Sequence, residues 1–447
     1  MVAYDAVGSS RGRFQKEDES SAGESEVMIE LIPASLRALP RDALVLFLTR
    51  FTRLFAYGAL SVILVFYLVS LGLTEAQVGL LLTLTLGGDM AISLLLTTRA
   101  DRMGRRRMLV VGAILMAGAG VAFASTKSLL FLIIAGTIGV ISPSGNEVGP
   151  FLSIEQAALS HVVPAHSRTE VFAWYTLAGS VATALGALCG GSAAGLMQRT
   201  SLSPPDSYRM VVLLYAALGV ALALLFMRLS SSTEVHGSTT ETNSAVSAKD
   251  FFGVGRSRPV VLKLASLFAL DSFGGGFVVQ SFAAYWFYLR FGVAAARLGV
   301  IFFCANILAG ISALLASRLA TRIGLVRTMV ITHLPSNVLL ILVPLMPNLT
   351  LAVLVLLVRF SISQMDVPTR QSYTMAVVRP DERSAAGGIT GVARTAGAAI
   401  SPIFAGFLFS RPSLIDVPFF VAGTLKIVYD LTLYRQFGAI RPQEEAD

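Results

Sequence analysis

The sequence predicts an all-α membrane protein with twelve transmembrane helices arranged as two pseudo-symmetric six-helix bundles. Three observations carry this. Hydrophobic residues fill 54% of 447 positions and charged residues only 14%, whereas soluble domains carry about a quarter charged residues. The apolar residues gather into twelve runs, each near the roughly 20 residues that a helix needs to cross a hydrocarbon core about 30 Å thick. Residues of the second half also repeat those of the first at a nearly constant offset.

Taken in order, residues 1–26 are polar, mixed in charge and lack the apolar core of a signal peptide. Residues 27–39 carry the pattern of a short amphipathic helix lying on the membrane surface, and 1–41 reads as a cytoplasmic tail. Six spans follow at 44–71, 76–98, 107–126, 129–158, 169–197 and 208–229, within a first bundle at 42–229. Residues 230–258 are rich in Ser, Thr, Glu and Gly without helical periodicity and read as a cytoplasmic linker. Spans resume at 259–289, 297–319, 328–346, 349–375, 385–409 and 416–437, giving a second bundle at 259–437 and a tail at 438–447.

A net charge of +8 does not imply a nucleic-acid partner, because the basic residues sit mostly in short loops between apolar runs. With both termini inside, the inner loops hold sixteen Lys and Arg and the outer loops six: Lys127, Arg199, Arg209, Arg290, Arg297 and Arg411. That asymmetry places the termini in the cytoplasm; no address signal is readable, so a plasma membrane is the default. The two cysteines, Cys189 and Cys304, lie in apolar stretches and build no disulfide framework. His161, His166, His236 and His333 are too scattered along the chain to suggest a metal cluster, although folding can bring distant residues together. No GxxxxGK[ST] or HExxH pattern occurs, so the sequence implies no ATP-driven transport, no zinc helix and no cofactor. Asn348-Leu-Thr350 fits a glycosylation triplet in a short outer loop.

The repeat is specific. Gly72, Ala76 and Gly79 recur as Gly292, Ala296 and Gly299, and Arg102, Gly104 and Arg107 as Arg322, Gly324 and Arg327, all at an offset of 220. Gln156, Val163, Arg168 and Gly191 recur as Gln371, Val378, Arg383 and Gly406 at an offset of 215. Two parallel six-helix halves are one way to build a central site that opens to either side.

Between spans 2 and 3 stands Thr97-Thr-Arg-Ala-Asp-Arg-Met-Gly-Arg-Arg-Arg107. It resembles the Gly-x-x-x-Asp-Arg-x-Gly-Arg-Arg signature of the major facilitator superfamily, matched by Asp101, Arg102, Gly104, Arg105 and Arg106, with Thr97 replacing the leading Gly. Gly104 suits a tight turn, and Asp101 can cap a helix or pair with nearby arginines. The resemblance implies a gating latch at Asp101 and Arg102; in the second half Thr321 stands where the acid would be. Gly186-Ala-Leu-Cys-Gly-Gly191 resembles the Gly-Pro-x-x-Gly-Gly motif of antiporters in the superfamily, with Ala187 replacing Pro.

A charge at mid-membrane costs about 3 kcal/mol on insertion scales, so each one needs a reason. Eleven qualify: Arg53, Asp89, Glu147, Glu155, Asp271, Arg359, Asp366, Arg370, Arg394, Lys426 and Asp430. The resemblance puts spans 1, 4, 7 and 10 around a central cavity, and seven of the eleven fall on those spans. Glu147 ranks first as proton carrier, because two prolines and two glycines in 142–150 should break its helix and broken helices at membrane depth line cavities. Its alternative role is a salt bridge to Arg53 or Arg359. Asp271, just before Gly274-Gly-Gly276, and Asp89 are the further proton candidates. Arg53 and Arg359 either hold an anionic substrate or neutralise Glu147 and Asp271. Glu155, Asp366 and Arg370 read as a gate network together with Gly104 and Arg105, and Lys426 and Asp430, four apart on span 12, read as a mutual pair. Asn146, Tyr57, Tyr285 and Trp286 complete the substrate-contact candidates, the aromatics having belt or packing roles as the alternative.

The expected partners are a small-molecule substrate, protons and the lipid bilayer, with the chain acting as a monomer. The expected activity is proton-coupled export of a small organic compound by alternating access. Rivals are an importer or exchanger of an anion such as phosphate or carboxylate, and a transport-dead receptor on the same fold. A membrane enzyme is least supported, as no nucleophile–base or metal constellation is visible.

Overall fold

The computed structural model describes residues 39–147, 149–164, 168–234, 255, 257–379 and 382–438, with Asp101, Arg102, Thr169 and Ser384 described by backbone alone. Residues 27–38 of the expected surface helix, 235–254 of the linker and 439–447 of the tail lie outside the described residues.

The described chain is almost wholly helical. α1 (Arg41–Ser70), α2 (Glu75–Met103) and α3 (Arg105–Ser125) each cross once. Span 4 is split into α4 (Leu129–Ile138) and α5 (Phe151–Val162), and α6 (Arg168–Arg199) and α7 (Pro204–Phe226) finish the first bundle. Span 7 is split into α8 (Arg258–Gly276) and α9 (Gln280–Phe291), followed by α10 (Ala295–Ile323) and α11 (Leu325–Leu342). Span 10 is split into α12 (Leu349–Phe360) and α13 (Asp366–Ala376), and α14 (Arg383–Phe409) and α15 (Val417–Phe437) close the second bundle. Among the described residues nine spans are long and apolar enough to cross a membrane unaided, α4 and α12 being shorter apolar helices. α15 is long enough but carries Lys426, Asp430 and Arg435.

The repeated residues are where the backbone needs them. Gly72 and Gly292 turn the chain after spans 1 and 7 with φ of 95° and 65°, and Gly104 and Gly324 after spans 2 and 8 with φ of 99° and 87°. L side chains avoid that left-handed region, so glycine is required at each turn. Span 2 starts with a capping box, in which Thr74 Oγ1 accepts from the Gln77 amide and Gln77 Oε1 from the Thr74 amide.

The bundles meet along two seams, α2 against α14 and α6 against α10. A Cβ on Gly79 would stand 2.4 Å from the Pro402 carbonyl oxygen and 2.9 Å from Gly406 Cα, and one on Gly191 would stand 2.4 Å from the Ala295 oxygen and 2.9 Å from Gly299 Cα. The four glycines that repeat between the halves therefore face each other across the seams, letting backbones approach as closely as membrane helices can. Further hydrogen bonds joining the bundles run from Tyr285 to Glu75 (2.7 Å), Gln280 to Ser61 (2.7 Å) and the Ile403 amide to Thr83 (2.9 Å). Glu75, Tyr285, Gly79, Gly191, Gly299 and Gly406 all lie toward the helix ends remote from the chain termini, so the bundles close against each other at that end.

α1 is the axis of its bundle: Tyr57, Val62, Ile63, Leu64, Val65 and Leu68 are all fully buried. Lipid-facing positions such as Leu94, Ile114, Phe131 and Leu224 are apolar and exposed, as a hydrocarbon solvent requires.

Candidate functional site

Span 4 breaks over 139–150, where Pro143 and Pro150 lack amide donors and Gly145 and Gly149 adopt φ of 71° and 81°. The Pro143 carbonyl accepts from the Ser281 amide (3.1 Å) and its hydroxyl, which turns the break toward the second bundle. Beside it Asn146 is exposed and Glu147 half-buried.

Glu147 is held from α1. Arg50 Nη1 lies 2.6 Å from its Oε1, and Arg53 Nη2 3.1 Å from its Oε2. Arg53 also reaches Glu155 on α5, Nη1 to Oε1 at 2.8 Å and Nη2 to Oε2 at 2.8 Å. Glu155 accepts further from the hydroxyls of Thr49 (2.9 Å) and Tyr175. Arg50 lies over the Tyr175 ring at 4.4 Å and Arg53 over the Phe151 ring at 4.7 Å, both within cation–π range. The cluster holds two cations and two anions, which balances a group that lipid would otherwise penalise. Glu155 and Arg53 are sealed from solvent, while the Glu147 side chain keeps 19% of its surface open. Sequence reasoning offered a salt bridge to Arg53 or Arg359 as the alternative role of Glu147; Arg53 makes it and Arg359 does not, and Arg50, one turn earlier on the same face, was passed over.

The second cluster lies in the other bundle. Asp271 on α8 accepts from Lys426 Nζ (2.6 Å) on α15 and Arg370 Nη1 (2.9 Å) on α13. Arg370 Nη2 also stands 3.4 Å from Asp366 Oδ2. Asp430 accepts from Asn337 Nδ2 (2.9 Å) and lies 2.8 Å from His333 Nδ1. The expected pairing of Lys426 with Asp430 is thus corrected: each is drawn to a buried polar partner on another helix, Lys426 to Asp271 and Asp430 to His333. The single gate network expected of Glu155, Asp366 and Arg370 is likewise divided here, Glu155 belonging to the first cluster and the other two to the second. Folding also gathers His333, Asp271 and Asp366 so that their ligand atoms fall within 4.8 Å of one another. The Arg370 and Lys426 cations already hold both Asp271 oxygens, so this donor set does not suit a metal ion.

Asp89 on α2 is buried, takes a hydrogen bond from the Gly149 backbone and leaves Oδ1 without a partner; it faces the same break as Glu147. Arg359, at the end of α12, rests its guanidinium 5.1 Å from the Phe360 ring and makes no ion pair among the described residues. Arg394 on α14 is also half-buried with Nε unpartnered. Tyr57 is fully buried beside Tyr215, and Trp286 is fully buried and donates to Asp416 (2.8 Å). Tyr285 is 4% exposed and tied to Glu75. In this conformation the three aromatic candidates therefore serve packing and the closed end.

At the signature loop, the Glu234 carboxylate accepts from the amides of Arg105 (2.7 Å) and Arg106 (3.1 Å), capping α3. Arg105 is buried and spans to the carbonyls of Ala157 (3.3 Å) and Thr233 (3.4 Å). Gly104 supplies the turn between α2 and α3. The side chains of Asp101 and Arg102, the expected latch, lie outside the described residues. Asn348 of the glycosylation triplet caps α12 by accepting from the Leu351 amide (3.0 Å).

Comparison with known proteins agrees with this architecture. The sequence matches the Major Facilitator Superfamily over residues 46–402 and 272–445. An uncharacterized membrane protein of Saccharomyces cerevisiae is 32% identical over 422 residues, covering 89% of this chain and 94% of that one. A bacterial homolog of the human lysosomal transporter Spinster, solved inward-facing and occupied, superposes with TM-score 0.69 at 17% identity, covering 89% of this chain and 97% of that one. A D-xylose–proton symporter superposes with TM-score 0.68 at 15% identity over 91% and 99% of the two chains. At such identities the solved structures establish the fold alone.

Proposed function

This chain belongs to the Major Facilitator Superfamily, whose solved relatives here are transporters rather than enzymes, and from that membership we propose that it is a proton-coupled secondary transporter exporting a small organic compound by alternating access. The observation that carries the coupling is Glu147, a partly exposed carboxylate at a helix break, gripped by two arginines of α1. Protonating Glu147 removes the charge that holds Arg50 and part of Arg53, so span 1 and the break in span 4 are freed to move against each other. Asp89 and Asp271 are the further proton-binding groups of the same reading. The signature loop, Glu155, Asp366 and Arg370 serve as its gates. With both termini in the cytoplasm, a plasma-membrane monomer in this conformation is shut on the outer side and faces inward.

A second reading, import or exchange of an anion, is favoured by Arg359 and Arg394, two half-buried cations without ion pairs among the described residues. Arg53 does not serve it, because Glu147 and Glu155 already take both of its terminal nitrogens.

The test is pH change inside sealed proteoliposomes on adding pooled organic compounds, with wild type beside Glu147→Gln. Substrate-dependent proton movement that falls at least tenfold in the variant supports the reading. Equal movement in both removes Glu147 as carrier, and labelled flux of an anion without proton movement favours the second reading.

A further inference from the structure

His333 has no task in that scheme, yet it stands at the centre of the second cluster. Its side chain is 6% exposed, and both ring nitrogens face carboxylates. Nδ1 lies 2.8 Å from Asp430 Oδ1. Nε2 lies 3.7 Å from Asp271 Oδ1, with the Asp366 carboxylate in the same group of atoms. A neutral imidazole carries one proton, so one of these nitrogens must present a bare lone pair to an anion. Asn337, from the same helix, already donates to Asp430 Oδ2 and approaches Nδ1 at 3.1 Å. That leaves Nε2, facing Asp271 and Asp366, as the position where a further proton gains most.

The surrounding charges favour that proton. Around the ring stand Asp271 from α8, Asp366 and Arg370 from α13, and Lys426 and Asp430 from α15, with Tyr429 of α15 edge-on at 5.8 Å. Among the groups in ion-pair contact, three carboxylates against Arg370 and Lys426 leave one negative charge, which protonated His333 cancels. Arg359 and Arg394 feel Asp271 and Asp366 too, but neither makes an ion pair with them.

We propose that His333 binds and releases a transported proton, so that the coupling unit of the second bundle is His333 with Asp271, Asp366 and Asp430 rather than Asp271 alone. This rests on the proton-coupled reading above. A hydronium at Asp271 gives its proton to Nε2 and leaves as water, and the reverse step returns it. Protonated, His333 bridges Asp430 on span 12 to Asp271 on span 7 and Asp366 on span 10. Deprotonated, it turns a lone pair toward Asp271, which then rests on Lys426 and Arg370 alone. Asp271 lies just before the break in span 7 and Asp366 just after the break in span 10, so the proton acts on the two hinges of its bundle.

The chain has four histidines, which makes the test direct. With His161, His166 and His236 replaced by Gln, nitrogen-15 spectra of histidine-labelled protein in detergent report His333 alone. The expected result is an imidazolium carrying both N–H protons that titrates between about pH 5 and 8, with Asp430→Asn moving the midpoint at least tenfold in acidity toward lower pH. His333 neutral throughout that range, or a midpoint unmoved by Asp430→Asn, overturns the proposal. In proteoliposomes supplied with the pooled organic compounds, net proton movement in His333→Gln should fall at least tenfold; wild-type proton movement in His333→Gln also overturns the proposal. If wild type carries substrate without protons, the coupling reading fails, and the spectra still decide whether His333 takes a proton.

Discussion

Two glutamates share Arg53, and their surroundings give them opposite characters. Glu155 is sealed among Arg53, Thr49 and Tyr175, whereas Glu147 touches solvent. Glu155→Gln therefore leaves part of a buried guanidinium uncompensated, a change that costs about 3–5 kcal/mol when a buried pair is broken. Glu147→Gln costs less, because water screens a partly open pair. Thermal unfolding in detergent should show the larger drop for Glu155→Gln; the reverse order would mean that Glu147, not Glu155, anchors the bundle. The sequence singled out both glutamates, Arg53 and Asp271 because a charge inside an apolar run is conspicuous. It did not single out Arg50, one turn nearer the start of α1 than Arg53, where a cation reads as belonging to the basic membrane face. Nor did it find His333, whose partners Asp271 and Asp430 lie 62 and 97 positions away and are joined to it only by the fold. Lys426 and Asp430 misled for a related reason: helical spacing makes two residues neighbours, but buried groups on other helices compete for them.

At the scale of the element, breaks and close approaches do the positioning. The break in span 4 was legible, since its prolines and glycines are incompatible with a continuous helix, and the one in span 7 falls just after the flexible run Gly274–Gly276. The break in span 10, at 361–365, was not: Ser-Ile-Ser-Gln-Met itself contains no breaker, and the signal is Pro368 in the first turn of α13, which has no N–H to donate back to Gln364 and crowds its carbonyl. Gly79, Gly191, Gly299 and Gly406 were legible as repeats, but not as two facing pairs. Their contacts yield a prediction. A side chain on Gly191 meets the Ala295 backbone at 2.4 Å, and backbone cannot swing aside as a flexible side chain can. Gly191→Val should wedge α6 from α10 at the closed end and shift the population toward the opposite-facing state. The check is maleimide labelling of a cysteine at Ser61, read from the side remote from the termini: labelling should rise severalfold over the parent. Unchanged labelling with normal folding would show that this seam does not hold the end shut.

For the whole molecule, the two bundles each carry a buried charge cluster at a break, while their mutual contacts gather at one end. Such a body has one closed end and one open end, and alternating access consists of exchanging them. The orientation proposed above puts the open end at the cytoplasm, and closure and orientation can be tested together. Cys189 and Cys304 are free thiols and must first become Ser. A cysteine at Asn146, exposed beside the break in span 4, then reports on the space between the bundles. A charged, membrane-impermeant maleimide should modify Asn146→Cys in inside-out vesicles at least tenfold faster than in right-side-out cells. Adding Tyr285→Phe, which deletes the hydrogen bond to Glu75, should narrow that ratio by loosening the closed end without changing any charge. A hydrogen bond to a charged group contributes about 1.5–3 kcal/mol, enough to move a two-state population about tenfold or more. Fast labelling from the outside in the parent would reverse the orientation, and equal labelling from both sides would mean that the closed end leaks. If the ratio held but Tyr285→Phe left it unchanged, the seal would rest on the glycine seams rather than on the tyrosine, and Gly191→Val would become the decisive variant.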